Sequence, residues 1–305
     1  MTLIVLMYAL FGASVSMGKA LLAYTTPLFL IGSRMCIGGG ILLTYSYITQ
    51  KATFNVQRKD WIHFIEVTIL GIYLTYIMRV WALQYLPSFK TCFLYNLSPF
   101  MASFYSYFML NEKMTFHQWI GLGIGFLGMI PILLSSTPAE ASMGEFMNIS
   151  WPELLVIASV ATHSYSWIIV RKLVKFKKYS PLMVNSVTMS LGGILAITTS
   201  FFYDGFFPVK NVQKFSILLV AIILISNIIC HNIYGHLLKK YTATFIAFTG
   251  FLAPLFSALY GWAFLNEVIT WHFYVSTLIV LFGLGIFYKD ELLQQKQVES
   301  IIETE

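Results

Sequence analysis

Polar residues along this chain are confined to short intervals between long apolar stretches. The stretches run roughly 20 residues, the length an α-helix needs to cross the hydrocarbon core of a bilayer. Such windows fall at about 2–23, 27–48, 62–84, 90–110, 117–136, 152–174, 181–203, 215–238, 243–265 and 271–288. The pattern predicts an all-α integral membrane protein with ten transmembrane helices. Two joins, Asn111–Thr115 and Asn266–Thr270, are so short that the helices they connect must be antiparallel neighbours. The N-terminal run has no basic segment before its apolar residues, so it reads as the first spanning helix rather than a cleaved leader.

One stretch occurs twice. Residues 93–128 and 248–283 align without gaps at an offset of 155, matching at Pro99/Pro254, Tyr105/Tyr260, Leu110/Leu265, Asn111/Asn266, Glu112/Glu267, Thr115/Thr270, His117/His272 and Gly128/Gly283. Earlier parts of the halves match at an offset of 154, through Pro27/Pro181, Met35/Met189, Gly38/Gly192 and Gly39/Gly193. A fixed period marks duplication of one structural unit. The unit is five helices. Five is odd, so the second copy enters the membrane from the opposite side, giving two inverted five-helix repeats. The expected organisation is a first repeat over 1–136, an external linker over 137–151, a second repeat over 152–288 and a cytoplasmic tail over 289–305. The two Leu-Asn-Glu-x-x-Thr turns then lie on opposite sides of the membrane. Each glutamate is expected near the N-terminus of the helix that follows it, where a carboxylate is favoured.

Composition agrees with this reading. The chain is 58% hydrophobic and only 10% charged, against about 25% charged in soluble domains. The net charge of +6 is not gathered on one face, so it does not point to nucleic acid. It sorts by topology instead. With the N-terminus inside, Lys51, Arg58, Lys59, Lys113, the Arg171–Lys178 cluster, Lys239, Lys240, Lys289 and Lys296 face the cytoplasm. Only Lys19, Lys90, Lys210 and Lys214 face outward, as the positive-inside rule requires. Both termini are expected in the cytoplasm, and a bacterial inner membrane fits. Cys36, Cys92 and Cys230 each lie in an apolar segment without metal-ligand or disulfide spacing.

Charges within the hydrocarbon region are costly and usually functional. Arg34 and Arg79 are the two that qualify. Each must line a polar cavity, pair with an anion or snorkel to the surface. A guanidinium in a cavity suits a carboxylate or phosphate. The other polar or aromatic candidates for a central binding site are Tyr76, Tyr95, Asn96, His163, Trp167, Asn185, Asn227 and His231. For each of these, a partner across a helix interface is the structural alternative. His163 and Trp167 are four apart and share a helix face. Helices one, three, four, six, eight and nine are expected to supply most of the cavity. Glu66, near the start of helix three with His63 one turn earlier, is a candidate proton-coupling carboxylate or an interfacial one. Pro99 and Pro254 are expected to kink helices four and nine. The glycines at 38–40, 192–193 and 121–128 fit close helix packing. Enzyme signatures are missing: GASVSMGK at 12–19 has the wrong spacing for a phosphate loop, and no HExxH, GxSxG or CxxC occurs. No cofactor or metal is expected, and no nucleotide-hydrolysing domain is present to drive transport.

Two five-helix halves, each closing with a proline-bearing helix, Leu-Asn-Glu-x-x-Thr and a glycine-rich helix, resemble the EamA branch of the drug/metabolite transporter superfamily. In that family the turn usually reads Leu-Gly-Glu; here both copies carry Asn. The resemblance spans nearly the whole chain and implies alternating access around a central cavity. The run FGASVSMGKALLAYTTPLFLIGSRMCIGGG is also similar to the S-adenosylmethionine/S-adenosylhomocysteine exchangers of obligate intracellular bacteria. Such a substrate carries a carboxylate for an arginine, an adenine for stacking and a sulfonium for aromatic faces. The resulting expectation is a secondary carrier, monomeric or dimeric in the lipid bilayer, for a small zwitterionic or anionic metabolite. The alternatives are an amino-acid or metabolite exporter and multidrug efflux by proton antiport.

Overall fold

The structure, a computed structural model, describes residues 2–49, 56–110, 114–146, 149–230, 233, 237 and 249–289. Among the described residues, six helices are long and apolar enough to cross a membrane: α1 (Thr2–Leu21), α2 (Pro27–Thr49), α3 (Arg58–Leu83), α6 (Phe116–Leu133), α8 (Trp151–Lys175) and α9 (Pro181–Tyr203). Shorter helices complete the bundle. They are α4 (Ser88–Tyr95), α5 (Ser98–Leu110), the single turn α7 (Pro138–Ala141), α10 (Val212–Ile222, running on as Ile223–Cys230), α11 (Leu252–Leu265) and α12 (Trp271–Phe287). The bundle is a multi-pass, all-α membrane protein. A two-residue antiparallel pair, β1 (Glu145–Phe146) with β2 (Ile149–Ser150), lies between α7 and α8.

Helix bounds follow local chemistry. Thr115 caps α6 and Ser150 caps α8, each in a reciprocal capping box with Gln118 or Glu153. Two departures from the sequence expectation matter for the site. The helix expected over 90–110 is not a kinked rod but two pieces, α4 and α5, with a turn at Asn96–Leu97. Pro99 has no N–H to return to the Tyr95 carbonyl, four residues back, so the ladder cannot close across the turn. In addition, α3 is π-helical over Val67–Leu74, and α10 passes into a π-helix over Ile223–Cys230. Wide turns of this kind are rare and gather at functional sites.

Glycines set how closely helices approach. On α2 and α9, Gly39 lies against Ser190 and Gly193 against Cys36; a Cβ on Gly193 would fall 2.6 Å from the Cys36 nitrogen. On α6 and α12, a Cβ on Gly121 would fall 2.6 Å from the Gly283 oxygen. These two antiparallel pairs are backbone-to-backbone contacts, the means by which helices associate where lipid offers no hydrophobic contrast. Gly123 and Gly285 face open space.

One end of the bundle is closed by buried charge. At the turn after α11, Asn266 takes a left-handed φ of 54°. That conformation favours Gly or Asn over other residues. It accounts for the second residue of the Leu-Asn-Glu turn. The next residue, Glu267, does not serve the helix that follows it, as its position suggested. Its carboxylate instead accepts from the Ser88 N–H at 2.8 Å and the Ser88 hydroxyl at 2.7 Å, at the start of α4. Lys19 of α1 lies 2.9 Å from the same carboxylate and donates to the Leu86 carbonyl at 2.6 Å. Glu112, its counterpart in the first turn, lies outside the described residues. Nearby, Lys90 of α4 is 1% exposed and meets Glu140 and Glu153, each at 2.6 Å. Two carboxylates around one ammonium leave an excess negative charge in a dry place. Burial accordingly pushes the Glu140 carboxyl up from its usual range, and Lys90 offsets only part of this.

Two predictions follow from this packing and charge. Gly121→Ala and Gly193→Ala overpack their interfaces, at about 1–3 kcal/mol each, and lower the thermal unfolding midpoint in detergent. Gly123→Ala and Gly285→Ala leave the midpoint unchanged or raise it. For Glu140, a raised folded-state value means stability that is fully present below the unfolded carboxylate range and lost as pH rises through the folded value. Wild-type thermal stability therefore falls through this group as pH rises above the ordinary carboxylate range. Glu140→Gln, which cannot ionise, shows a shallower decline in the same pH series.

Candidate substrate-binding site

Five helices bring their polar residues together below the closed end. Arg34 projects from α2, Tyr76 and Arg79 from α3, and His163 and Trp167 from α8. Tyr95 is the last residue of α4, and Asn96 lies in the turn that follows. Arg34 is about 10 Å along α2 and Tyr95 about 10 Å along α4, counted at 1.5 Å per residue from the helix starts. Both distances place the cluster about two helical turns in from the Glu267 end.

The Arg79 guanidinium lies over two rings, 4.6 Å from the Tyr76 centroid and 4.8 Å from the Tyr95 centroid. Aromatic faces hold a cation without neutralising it. Among the described residues Arg79 makes no ion pair with a carboxylate. Arg34 donates from Nη2 to the Ser226 hydroxyl at 2.8 Å, across to the π-helical part of α10. Arg34, Tyr76 and Arg79 lie within electrostatic reach of one another.

The Tyr95 ring packs on His163 at 5.3 Å, and the Trp167 indole donates to His163 Nε2 at 2.8 Å. An imidazole that accepts at Nε2 carries its proton on Nδ1 when neutral. His163 Nδ1 is buried and has no hydrogen-bond partner among the described residues; the Asn96 side-chain nitrogen is in the same position. Buried donors without acceptors are uncommon. Two of them beside two guanidiniums make a site that offers protons and positive charge, the complement of an anionic oxygen. Trp167 is 50% exposed, so part of its indole remains free for stacking.

The cluster unites seven of the residues the sequence singled out and omits others. Asn185 is half-buried near the start of α9, where its carbonyl accepts from Thr188, and no contact among the described residues ties it to the arginines. Only the backbone of Asn227 is described, within the π-helical segment, and His231 lies outside the described residues. Glu66 is held at the other end of the bundle, accepting from the Tyr165 hydroxyl at 2.6 Å with His63 Nδ1 at 3.4 Å. Among the described residues helices one and nine of the sequence reading bring no side chain to the cluster, whereas helix two brings Arg34. Ser226 was missed. Its signal was a lone hydroxyl beside Asn227 in an otherwise apolar run, too common a pattern to stand out. A cavity of about 190 Å³ lined by Leu133, Ser136, Glu145, Ser150 and Glu153 lies at the Glu267 end, apart from this cluster.

Comparison with known proteins agrees with the fold. A solved crystal structure matches with a TM-score of 0.66, covering 97% of this chain and 98% of its own, at 15% identity. The S-adenosylmethionine/S-adenosylhomocysteine transporter of Chlamydia muridarum is 30% identical over 93% of this chain and 90% of its own length. The protein of the same description from Chlamydia trachomatis serovar L2 is 29% identical over 93% of this chain and 88% of its own. An uncharacterized transporter of Bacillus subtilis is 22% identical over 92% of this chain and 88% of its own. The model of the EamA-like transporter family matches residues 1–134 and again 150–289. The chain belongs to the EamA-like transporter family.

Proposed function

We propose that this protein is a secondary carrier that exchanges S-adenosylmethionine for S-adenosylhomocysteine by alternating access. Its ten spanning helices form two inverted five-helix repeats in a bacterial inner membrane, with both termini in the cytoplasm. The packing supports the repeat: α2 pairs with α9 and α6 with α12, and in the sequence alignment the members of each pair are counterparts of one another. The substrate reading is supported by the chlamydial relatives and by one observation above the rest. That observation is the Arg79 guanidinium, held on the faces of Tyr76 and Tyr95 without a carboxylate partner among the described residues.

The two substrates share an adenosine and an amino-acid end, and differ by one methyl group and one positive charge on sulfur. A site that accepts both must read what they share. The carboxylate suits Arg79 and Arg34, with Asn96 and His163 Nδ1 as further donors. The adenine suits the exposed part of Trp167. A carboxylate placed to neutralise the sulfonium would favour one substrate over the other, and no described residue supplies one in the cluster. Tyr76, Tyr95, Asn185, Asn227 and His231 complete the proposed lining. Exchange of a singly charged cation for a neutral zwitterion moves one charge per cycle. It is then driven by the membrane potential, about 2.3 kcal/mol per 100 mV, and needs no proton site at Glu66.

Counterflow in proteoliposomes tests the reading. Vesicles loaded with S-adenosylhomocysteine accumulate labelled S-adenosylmethionine at least tenfold above empty vesicles, and faster under an inside-negative potassium diffusion potential. Arg34→Ala and Arg79→Ala each cut this exchange at least tenfold while the purified variants remain monodisperse. Exchange of neither substrate above the empty-vesicle background contradicts the assignment.

A further inference from the structure

The contacts around Ser88 lie where a carrier needs a gate. Glu267 sits on the turn between α11 and α12, Lys19 near the end of α1, and Ser88 at the start of α4. The three elements converge at the end of the bundle that covers the arginine cluster. We infer that Glu267 and Lys19 are gating residues: they latch α1 and the α11–α12 turn onto the top of α4, and the latch must open in each cycle. This inference rests on the transport reading above.

The junction is polar where the neighbouring helix contacts are apolar. Glu267 takes the Ser88 N–H and hydroxyl, Lys19 bridges Glu267 and the Leu86 carbonyl, and the Ser16 hydroxyl reaches the Ser88 hydroxyl at 3.4 Å. Groups of this kind can exchange their protein partners for water when the end opens. Such a junction can open and reclose. The seat is also built for the carboxylate: a Cβ on Gly261 would collide with Glu267 Oε2, and the left-handed Asn266 turns Glu267 toward it. Below the junction α4 is only eight residues long and ends at the Asn96–Leu97 turn. A short rod broken from the helix beneath it joins the latch at its top to Tyr95, on Arg79, at its foot. Latch and substrate site are thus linked through one rigid element.

The motif itself is duplicated. Leu-Asn-Glu-x-x-Thr recurs at 110–115, and α4 and α5 run away from the Ser88 end to reach it. The first copy therefore belongs to the opposite end of the bundle. Glu112 of that copy lies outside the described residues, and the latch rests on the Glu267 copy alone.

A reversible cross-link tests the latch. The variant carries Ser16→Cys and Ser88→Cys with Cys36, Cys92 and Cys230 replaced by serine. Its reduced form exchanges substrate in proteoliposomes; oxidation lowers exchange at least tenfold and dithiothreitol restores it. A merely structural contact is not disturbed by joining atoms already together, so unchanged exchange after oxidation overturns the inference. A wild-type protein that exchanges nothing contradicts the transport reading instead, and a second readout covers that case and any loss of activity in the reduced variant. Cys92 of α4 packs against the apolar cluster of Ile4, Met7, Tyr8, Leu237 and Ala253, to which α1 contributes. In Glu267→Ala, with Cys36 and Cys230 replaced, a membrane-impermeant thiol reagent modifies Cys92 at least fivefold faster than in the matched parent. An equal rate overturns the latch whatever the transport result.

Discussion

The Arg79 guanidinium rests on the faces of Tyr76 and Tyr95, and the helices around it are arranged to make a charge tolerable among apolar neighbours. Aromatic faces lower the cost of burying the cation without cancelling its charge, so it remains available to an incoming anion. Tyr95 can provide its face because α4 stops there. The break that Pro99 enforces frees the chain to turn, and the turn places Asn96 directly after Tyr95 with its side-chain nitrogen buried and without a hydrogen-bond partner among the described residues. Arg34 is held by Ser226 from a stretch of α10 that is itself π-helical. Irregular backbone is admissible within a membrane protein where it is buried in protein or lines a polar site. Here the broken helix and the π-turn both border the arginine cluster.

The sequence carried the bundle clearly and the site in part. Apolar runs near 20 residues, Thr115 before α6 and the glycines of α2, α6, α9 and α12 are local signals, and the structure uses them. Arg34 and Arg79 were legible because charge inside an apolar run needs a reason. The partners were not legible. Ser226 is 192 residues from Arg34, and Ser88 is 179 residues from Glu267. Nothing local to either residue encodes such pairings. Glu267 looked like a cap for its own helix, because the favourable end of α12 is the nearest one in sequence; folding brings the start of α4 to it instead. The π-turns left no mark in VTILGIYL or ILISNIIC, since they arise from how these segments pack rather than from residue preference. Lys90 read as a boundary lysine by charge alone, yet it is enclosed by two carboxylates from residues 50 and 63 positions further on.

The proposed latch and the arginine cluster fit one design. Under that proposal the closed end keeps water from the donors of the cluster, and donors kept dry bind a carboxylate more strongly than the same groups in water. Opening that end would admit solvent, weaken the grip and favour release. In this account the positive charge of Arg79, without a carboxylate partner among the described residues, is the element that makes the substrate's carboxylate indispensable.

The most direct test is titration calorimetry of the purified protein with S-adenosylhomocysteine and with the same molecule lacking its carboxylate. The account predicts at least tenfold tighter binding of the intact molecule by wild-type protein, and loss of that discrimination in Arg79→Gln. Equal affinity of the wild type for both compounds would contradict it.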